Sequence, residues 1–335
     1  MNKFRLSLDK SSKKFICPTC NKRTFVRYKD YENGTYFEPD YVGRCDRENK
    51  CGYHYSTKEY YQKNPSLKPH KAFVQKCEAI QEAPTYIDAS INQFYRDLTD
   101  DYFYKCSFFQ YLFSLFSDDE IIQIKGLGNG IPRKVALIIS QYKLTTSGDF
   151  WIADGKYSDG VMFWQFDIKE RIRTAKVMRY NPTTGKRIKR PKNYIHWIHS
   201  ALKYQKKISK FNLHQCFFGE HLLNQYPSKK VAIVESEKTA CIMSQILTEY
   251  VWLATGGSNG AKWTEASVYS VLRGREVVLF PDLGQYNSWN EKSKLLQSVG
   301  LRVECSNFFE SSVSHDDKKN GYDIADFAIA NEWYR

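Results

Sequence analysis

Apolar and polar positions recur along this chain with a spacing that changes twice. Between residues 86 and 116 apolar side chains fall three and four apart, as at Phe103, Phe108, Tyr111, Leu112 and Leu115, which predicts two or three helices. From residue 160 the apolar runs become short and β-prone. VMFWQFD (161–167) and TAKVMRY (174–180) flank a turn-length polar segment and predict a hairpin. The last third alternates. KVAIV (230–234), YVWLA (250–254), EVVLF (276–280) and LRVE (301–304) predict four strands, and helical stretches follow them at 236–247, 263–272, 289–299 and 324–333. Such alternation implies an α/β fold with a parallel sheet and helices on both faces. Upstream lies a mixed α+β region, and the N-terminal stretch carries short β runs such as TFVRY (24–28). There is no internal repeat and no low-complexity tract.

A chain of 335 residues can bury more than one core. Residues 61–84 are polar with three prolines and read as a linker, which divides the chain into 1–60, the linker, a basic α+β subdomain at 85–218, and the sheet domain at 219–335. No apolar run approaches the roughly 20 residues of a membrane span. The N-terminus has no apolar core of a signal peptide. The expectation is a cytoplasmic protein with no membrane partner. Net charge is +13, and its placement matters: residues 169–210 hold 14 Lys/Arg against the single acid Glu170, a surplus equal to that of the whole chain. A localised positive stretch points to a polyanion.

Nine cysteines are unevenly spread. Cys77, Cys106, Cys216, Cys241 and Cys305 are scattered, but Cys17 and Cys20 form a CxxC pair, and Cys45 and Cys51 form a second pair 24 residues on. Two such knuckles can wrap four thiolates round one structural Zn²⁺, leaving no open position for chemistry. His54 is an alternative fourth ligand to Cys51. The blander readings are unrelated buried thiols or a redox CxxC.

Acids stand at the carboxyl ends of the expected strands, where open α/β sheets bind ligands. Glu235 follows the first strand directly, Asp282 follows the third through Pro281, and Asp323 and Asp326 lie in GYDIAD (321–326) beyond the fourth. Converging carboxylates can hold a catalytic Mg²⁺ or Mn²⁺, although a single acid there is commonly a helix N-cap. Within the basic stretch, Lys176, Arg179, Lys186, Arg187, Lys189, Arg190 and Lys192 surround the turn sequence NPTTG (181–185). Interleaved Tyr180, Tyr194, Trp197 and Tyr204 offer stacking faces for unpaired bases, so the stretch is read as a single-stranded nucleic-acid contact. The alternative is a solvated charge run over core aromatics. PTTGKR (182–187) lacks the leading Gly and following Ser/Thr of a phosphate-binding loop, so no ATPase is implied. GLGNG (126–130) reads as an inter-helix loop.

VAIVESEKTA (231–240), ATGG (254–257), VLFPD (278–282) and GYDIADF (321–327) resemble the successive motifs of TOPRIM domains, and most of all those of DnaG-type primases and primase-like proteins of Bacteroidetes mobile elements and phages. GVMFWQFD (160–167), PKNY (191–194) and HQCFFGEHLL (214–223) resemble primase core motifs, and the order of ribbon, basic subdomain and TOPRIM matches. The resemblance implies a C-terminal TOPRIM-type parallel sheet. It implies catalytic metal on Glu235, Asp282, Asp323 and Asp326, nucleoside triphosphates as substrates, and single-stranded DNA as template in replication. A separate helicase would supply unwinding, since no helicase segment is present. Two positions depart from the family pattern. Gly284 stands where a second acid is usual, and Thr239 replaces an acid four residues after Glu235. Those departures keep two rivals open, a non-catalytic single-strand-binding replication accessory and a TOPRIM nuclease. A topoisomerase would also need a tyrosine nucleophile in a further domain.

Overall fold

A computed structural model describes residues 5–47, 50–67, 83–96, 100–124, 128–148, 159–189, 195–257, 260–312 and 322–334. The chain divides into two compact units, Met1–Gln81 and Glu82–Arg335.

In the first unit, strands β1 (Leu6–Leu8), β2 (Phe25–Asp30), β3 (Gly43–Cys45) and β4 (His54–Tyr55) form one antiparallel sheet in that order. Helix α1 (Thr57–Lys63) follows, opened by a reciprocal capping box between Ser56 and Glu59. The apolar core here is only Phe25 with Cys17 and Cys45, flanked by Phe15 and Tyr53. A core that small needs a staple.

The second unit opens with three helices, α2 (Ala89–Arg96), α3 (Asp100–Lys105) and α4 (Ser107–Leu115), as the apolar spacing predicts. After a small β5 (Ile121–Ile122) and β6 (Ile131–Pro132) pair come α5 (Arg133–Gln141) and β7 (Thr145–Thr146). The expected hairpin is β8 (Val161–Phe166) with β9 (Ile172–Met178), joined by β10 (Ile195–Trp197) into an antiparallel sheet ordered β10-β9-β8-β7. Helices α6 (Ile198–Tyr204) and α7 (Leu222–Gln225) lead into the final region.

There β11 (Lys230–Val234), α8 (Glu237–Met243), β12 (Tyr250–Ala254), α9 (Ala266–Tyr269), β13 (Glu276–Leu279), α10 (Tyr286–Ser298), β14 (Arg302–Cys305), α11 (Phe308–Ser312) and α12 (Ile324–Ala330) follow in order. The four strands form a parallel sheet, β12-β11-β13-β14. Residues 231–234 and 251–254 are buried without alternation, as strands covered on both faces are. α8 lies against β11 and β12, α12 against α8, and α10 against β14.

Two expected helices are shorter than their patterns. α8 stops at Met243, where the Ser244 hydroxyl donates to the Cys241 carbonyl at 2.7 Å and competes with the helix ladder. The stretch 263–272 holds one α turn and a 3₁₀ turn at Ser270–Leu272. α10 instead starts three residues early.

One apolar core spans the boundary at 218/219. Tyr142 of α5 stacks on Phe218 at 4.9 Å and donates its hydroxyl to the Trp252 carbonyl of β12 at 2.9 Å. Phe163 of β8 meets Phe218 edge-on and Phe108 of α4 at 5.6 Å. Among the described residues no helix is long and apolar enough to cross a membrane.

Candidate functional site

In the first unit the sulfur atoms of Cys17, Cys20, Cys45 and Cys51 all lie within 4.8 Å of one another, with Cys17–Cys51 at 3.7 Å and Cys20–Cys45 at 3.9 Å. The chain bends round them in two knuckles. The Cys17 amide and carbonyl bond Lys22 and Asn21, and the Arg47 carbonyl accepts from the Cys51 amide at 2.7 Å. The sulfur set fits Zn²⁺. The Lys22 amide pulls the Cys20 thiol down to about 6, against its burial. Cys51, drawn down by the Tyr53 amide, is pushed up to about 11 by burial and the other three sulfurs. Thiols so crowded cannot all ionise until a cation neutralises them. His54 stands outside the cluster on β4, bonded to the Tyr28 hydroxyl at 3.2 Å, so Cys51 holds the fourth position.

In the second unit the strand-end acids gather on one cavity of about 820 Å³. Glu235 leaves β11 directly. The loop after β12 folds over it, because the amides of Gly256 and Gly257 both donate to the Glu235 carbonyl. Both glycines have positive φ, +80° and +106°, a conformation other residues rarely adopt. Asp282 lies three residues past β13, and the Leu283 amide donates to the Tyr322 carbonyl at 2.9 Å, which ties its loop to the start of α12. Glu235, Asp282, Asp323 and Asp326 therefore share a wall. Lys186, Arg187 and Lys189 line the same cavity. These three cations have no acidic partner within 4 Å among the described residues.

The acids are not equivalent. The alternative weighed for any strand-end acid, a helix N-cap, is realised at Asp323. One of its oxygens accepts from the Asp326 amide at 2.9 Å and the other from the Thr239 hydroxyl at 2.5 Å. Asp326 reaches back to the Asp323 amide and pairs with Lys238 at 3.3 Å. Among the described residues nothing donates a hydrogen bond to the side chains of Glu235 or Asp282. Burial pushes the Asp282 carboxyl up to about 8, helped by the charges of Asp323, Glu235 and Asp326. That is the state of an oxygen donor set short of a cation. The set fits Mg²⁺ or Mn²⁺ in charge and donor type, and Mg²⁺ ordinarily takes only one or two protein carboxylates. Among the described residues no three carboxylate oxygens converge within 4.8 Å, so the four acids do not enclose one ion together.

The basic stretch is partly consumed inside the protein. Lys176 is 6% exposed, and its ammonium bonds Glu237 at 2.8 Å and the Gly256 carbonyl at 3.0 Å. Its position on β9, in a strand buried almost throughout, puts it behind the cavity wall and removes it from the freely presented phosphate contacts. Arg179 is engaged by Asp159 at 2.6 Å. Arg190 and Lys192 lie outside the described residues, as do Tyr194 and the PKNY segment. Tyr180 is a core residue against Phe108 at 5.1 Å and offers no stacking face, whereas Tyr204 is 80% exposed. Gly284, where the second acid was expected, has φ +85° in a turn closed by the Gln285 amide on the Asp282 carbonyl. A non-glycine residue there would be strained. Sequence reasoning passed over Lys238 and Glu237, although both sit in the motif that carries Glu235. It also passed over Tyr111 of α4, whose ring supports Gly185.

Solved structures resemble the chain weakly. The zinc-binding and RNA polymerase domains of the Aquifex aeolicus primase share 12% identity over 98% of this chain and 78% of that one, with a TM-score of 0.38. A bacteriophage T7 structure, lagging-strand DNA polymerase with primase domains of two gp4 subunits bound to an RNA/DNA hybrid and dTTP, shares 15% identity over 59% of this chain and 85% of that one, at 0.30. Neither superposition establishes a shared fold. The search of curated proteins gave no match. A zinc beta-ribbon finger family model matches residues 3–66, in agreement with the four-cysteine cluster. The model of a domain of unknown function, DUF6371, matches residues 106–283, more than half of the chain, and the protein accordingly belongs to the DUF6371 family.

Proposed function

We propose that the chain is a primase-type nucleotidyltransferase that joins nucleotides on a single-stranded DNA template, with a TOPRIM-type sheet as its catalytic platform and the zinc ribbon as an aid to choosing where synthesis starts. One observation carries the reading: two carboxylates without hydrogen-bond donors, Glu235 and Asp282, face three cations without acidic partners, Lys186, Arg187 and Lys189, across one cavity. Acids that bind a divalent ion beside cations that bind phosphate is the arrangement nucleotidyl transfer requires. The sequence resemblance to primases of mobile elements and phages agrees with it and supplies the biological setting.

Glu235 and Asp282 would hold Mg²⁺ or Mn²⁺, whose chemistry when bound is to neutralise triphosphate charge and sharpen the attacking 3′-hydroxyl. Lys186, Arg187 and Lys189 hold the phosphates of template or incoming nucleotide. Arg190 and Lys192 extend the cationic run. Lys176 fixes the height of β9 against α8, and Gly256 and Gly257 let the backbone come close to Glu235.

Primer synthesis on single-stranded DNA with labelled nucleotides and Mg²⁺ or Mn²⁺ tests this. Glu235→Gln and Asp282→Asn keep side-chain shape but remove charge, so each should cut incorporation about 100-fold. Single-strand affinity should change little, because phosphate contacts carry it. Wild-type protein that incorporates nothing with either metal, yet binds single strands, would instead establish the accessory-binder reading. The turn at Gly284 and the engagement of Asp323 by Thr239 favour that second reading.

A further inference from the structure

The cavity already contains a cation. Lys238 sits in the first turn of α8, three residues beyond Glu235, with its side chain 11% exposed and its ammonium 3.3 Å from Asp326. Every oxygen of the Asp323/Asp326 pair has a donor: Thr239, the Asp326 amide, Lys238 and the Asp323 amide. Glu235 and Asp282, on the same cavity, have none among the described residues. The four carboxylates are thus split into a satisfied half and an open half.

We infer that Lys238 stands permanently in place of one divalent ion, so that the cavity takes a single Mg²⁺ or Mn²⁺, on Glu235 and Asp282, rather than two. The inference rests on the nucleotidyl-transfer reading of this site. The ammonium is tethered to a helix in which every residue is buried, so it cannot leave to admit a competitor. A divalent ion beside it would meet a like charge in a poorly screened setting. Thr239 strengthens the division, because its hydroxyl spends a lone pair of Asp323 that a metal would need. With Lys238 and one divalent ion the four acids keep about one negative charge, which Lys186, Arg187 and Lys189 face across the cavity.

The test is Mn²⁺ binding to the full zinc-loaded chain, with free Mn²⁺ read by electron paramagnetic resonance. Wild type should bind one Mn²⁺, Glu235→Gln none and Asp323→Asn one. Lys238→Met should bind two, and Lys238→Arg, which keeps the charge, should stay at one. Lys238→Met should also melt lower than wild type without Mn²⁺ and recover on its addition, since a divalent ion then fills the vacated charge. Two ions on wild type, or a single ion and no Mn²⁺-dependent recovery in Lys238→Met, overturns the inference. If Lys238→Met does not fold under any condition, the wild-type and Lys238→Arg counts decide, two ions on either overturning it. A wild-type count of zero sinks the nucleotidyl-transfer reading itself, whereas two ions with incorporation intact sinks only the role of Lys238.

Discussion

Glu220 is almost wholly buried, and burial pushes its carboxyl up to about 7, although it accepts hydrogen bonds from the Ile168 and Phe217 amides. The folded protein holds a proton there that the unfolded chain releases near 4.5. The resulting contribution to stability is fully present below pH 4.5 and is lost as pH rises through 7. Its size is on the order of 3 kcal/mol at most. The neighbouring His221, pushed down to about 4 by burial, acts in the opposite direction between pH 4 and 6.5, so the wild-type curve alone would hide the effect. Comparison with Glu220→Gln isolates it. Urea unfolding from pH 4.5 to 8 should show the wild type losing stability relative to the variant across that range. Parallel curves would mean that Glu220 carries no proton in the native state.

At the scale of elements, the cationic turn between Asn181 and Lys186 depends on a neighbour far away in sequence. Asn181 accepts the amides of Thr183 and Thr184 at 2.9 Å, and the chain then reverses through Gly185 at φ +62°. A Cβ on Gly185 would lie 2.3 Å from the Tyr111 ring of α4. Gly185→Ala should therefore cost about 1–3 kcal/mol in urea unfolding and, by displacing Lys186 and Arg187, weaken single-strand binding measured by fluorescence anisotropy. If neither changes, the turn does not rest on Tyr111. The strands of the parallel sheet were legible because each is a continuous apolar run, and their carboxyl ends located Glu235 and Asp282 in advance. What those runs hide is the partner of each charge. Lys176 meets Glu237 across 61 residues and Lys238 meets Asp326 across 88, so a basic stretch and an acid cluster that look free in sequence are partly neutralised in the fold. Asp323 was read as a ligand for the same reason. Its DIAD pattern is also a capping box, and only the helix that begins at Ile324 shows that it acts as one.

For the whole molecule, the two compact units should come apart thermodynamically. The ribbon has almost no apolar core, so zinc binding and folding of Met1–Gln81 should be one event. Chelation should release about one zinc per chain and make that unit sensitive to protease, while the melting transition of Glu82–Arg335 persists. Cys17→Ser combined with Cys51→Ser should purify without zinc. Full zinc retention in that double variant would refute the assignment of the four cysteines.

The ion pair of Lys176 and Glu237 sets a limit on how the protein can be shortened. A fragment beginning at 219 would look, by sequence, like a minimal catalytic sheet. It would keep the Glu237 carboxylate in its buried seat but leave behind the ammonium that neutralises it, since Lys176 belongs to the discarded hairpin. It would also strip Tyr142 and Phe163 from the apolar surface they cover. Truncation at that point should yield insoluble protein. The piece that can be removed cleanly is the ribbon, and the rest must be inherited, expressed and engineered as one indivisible body.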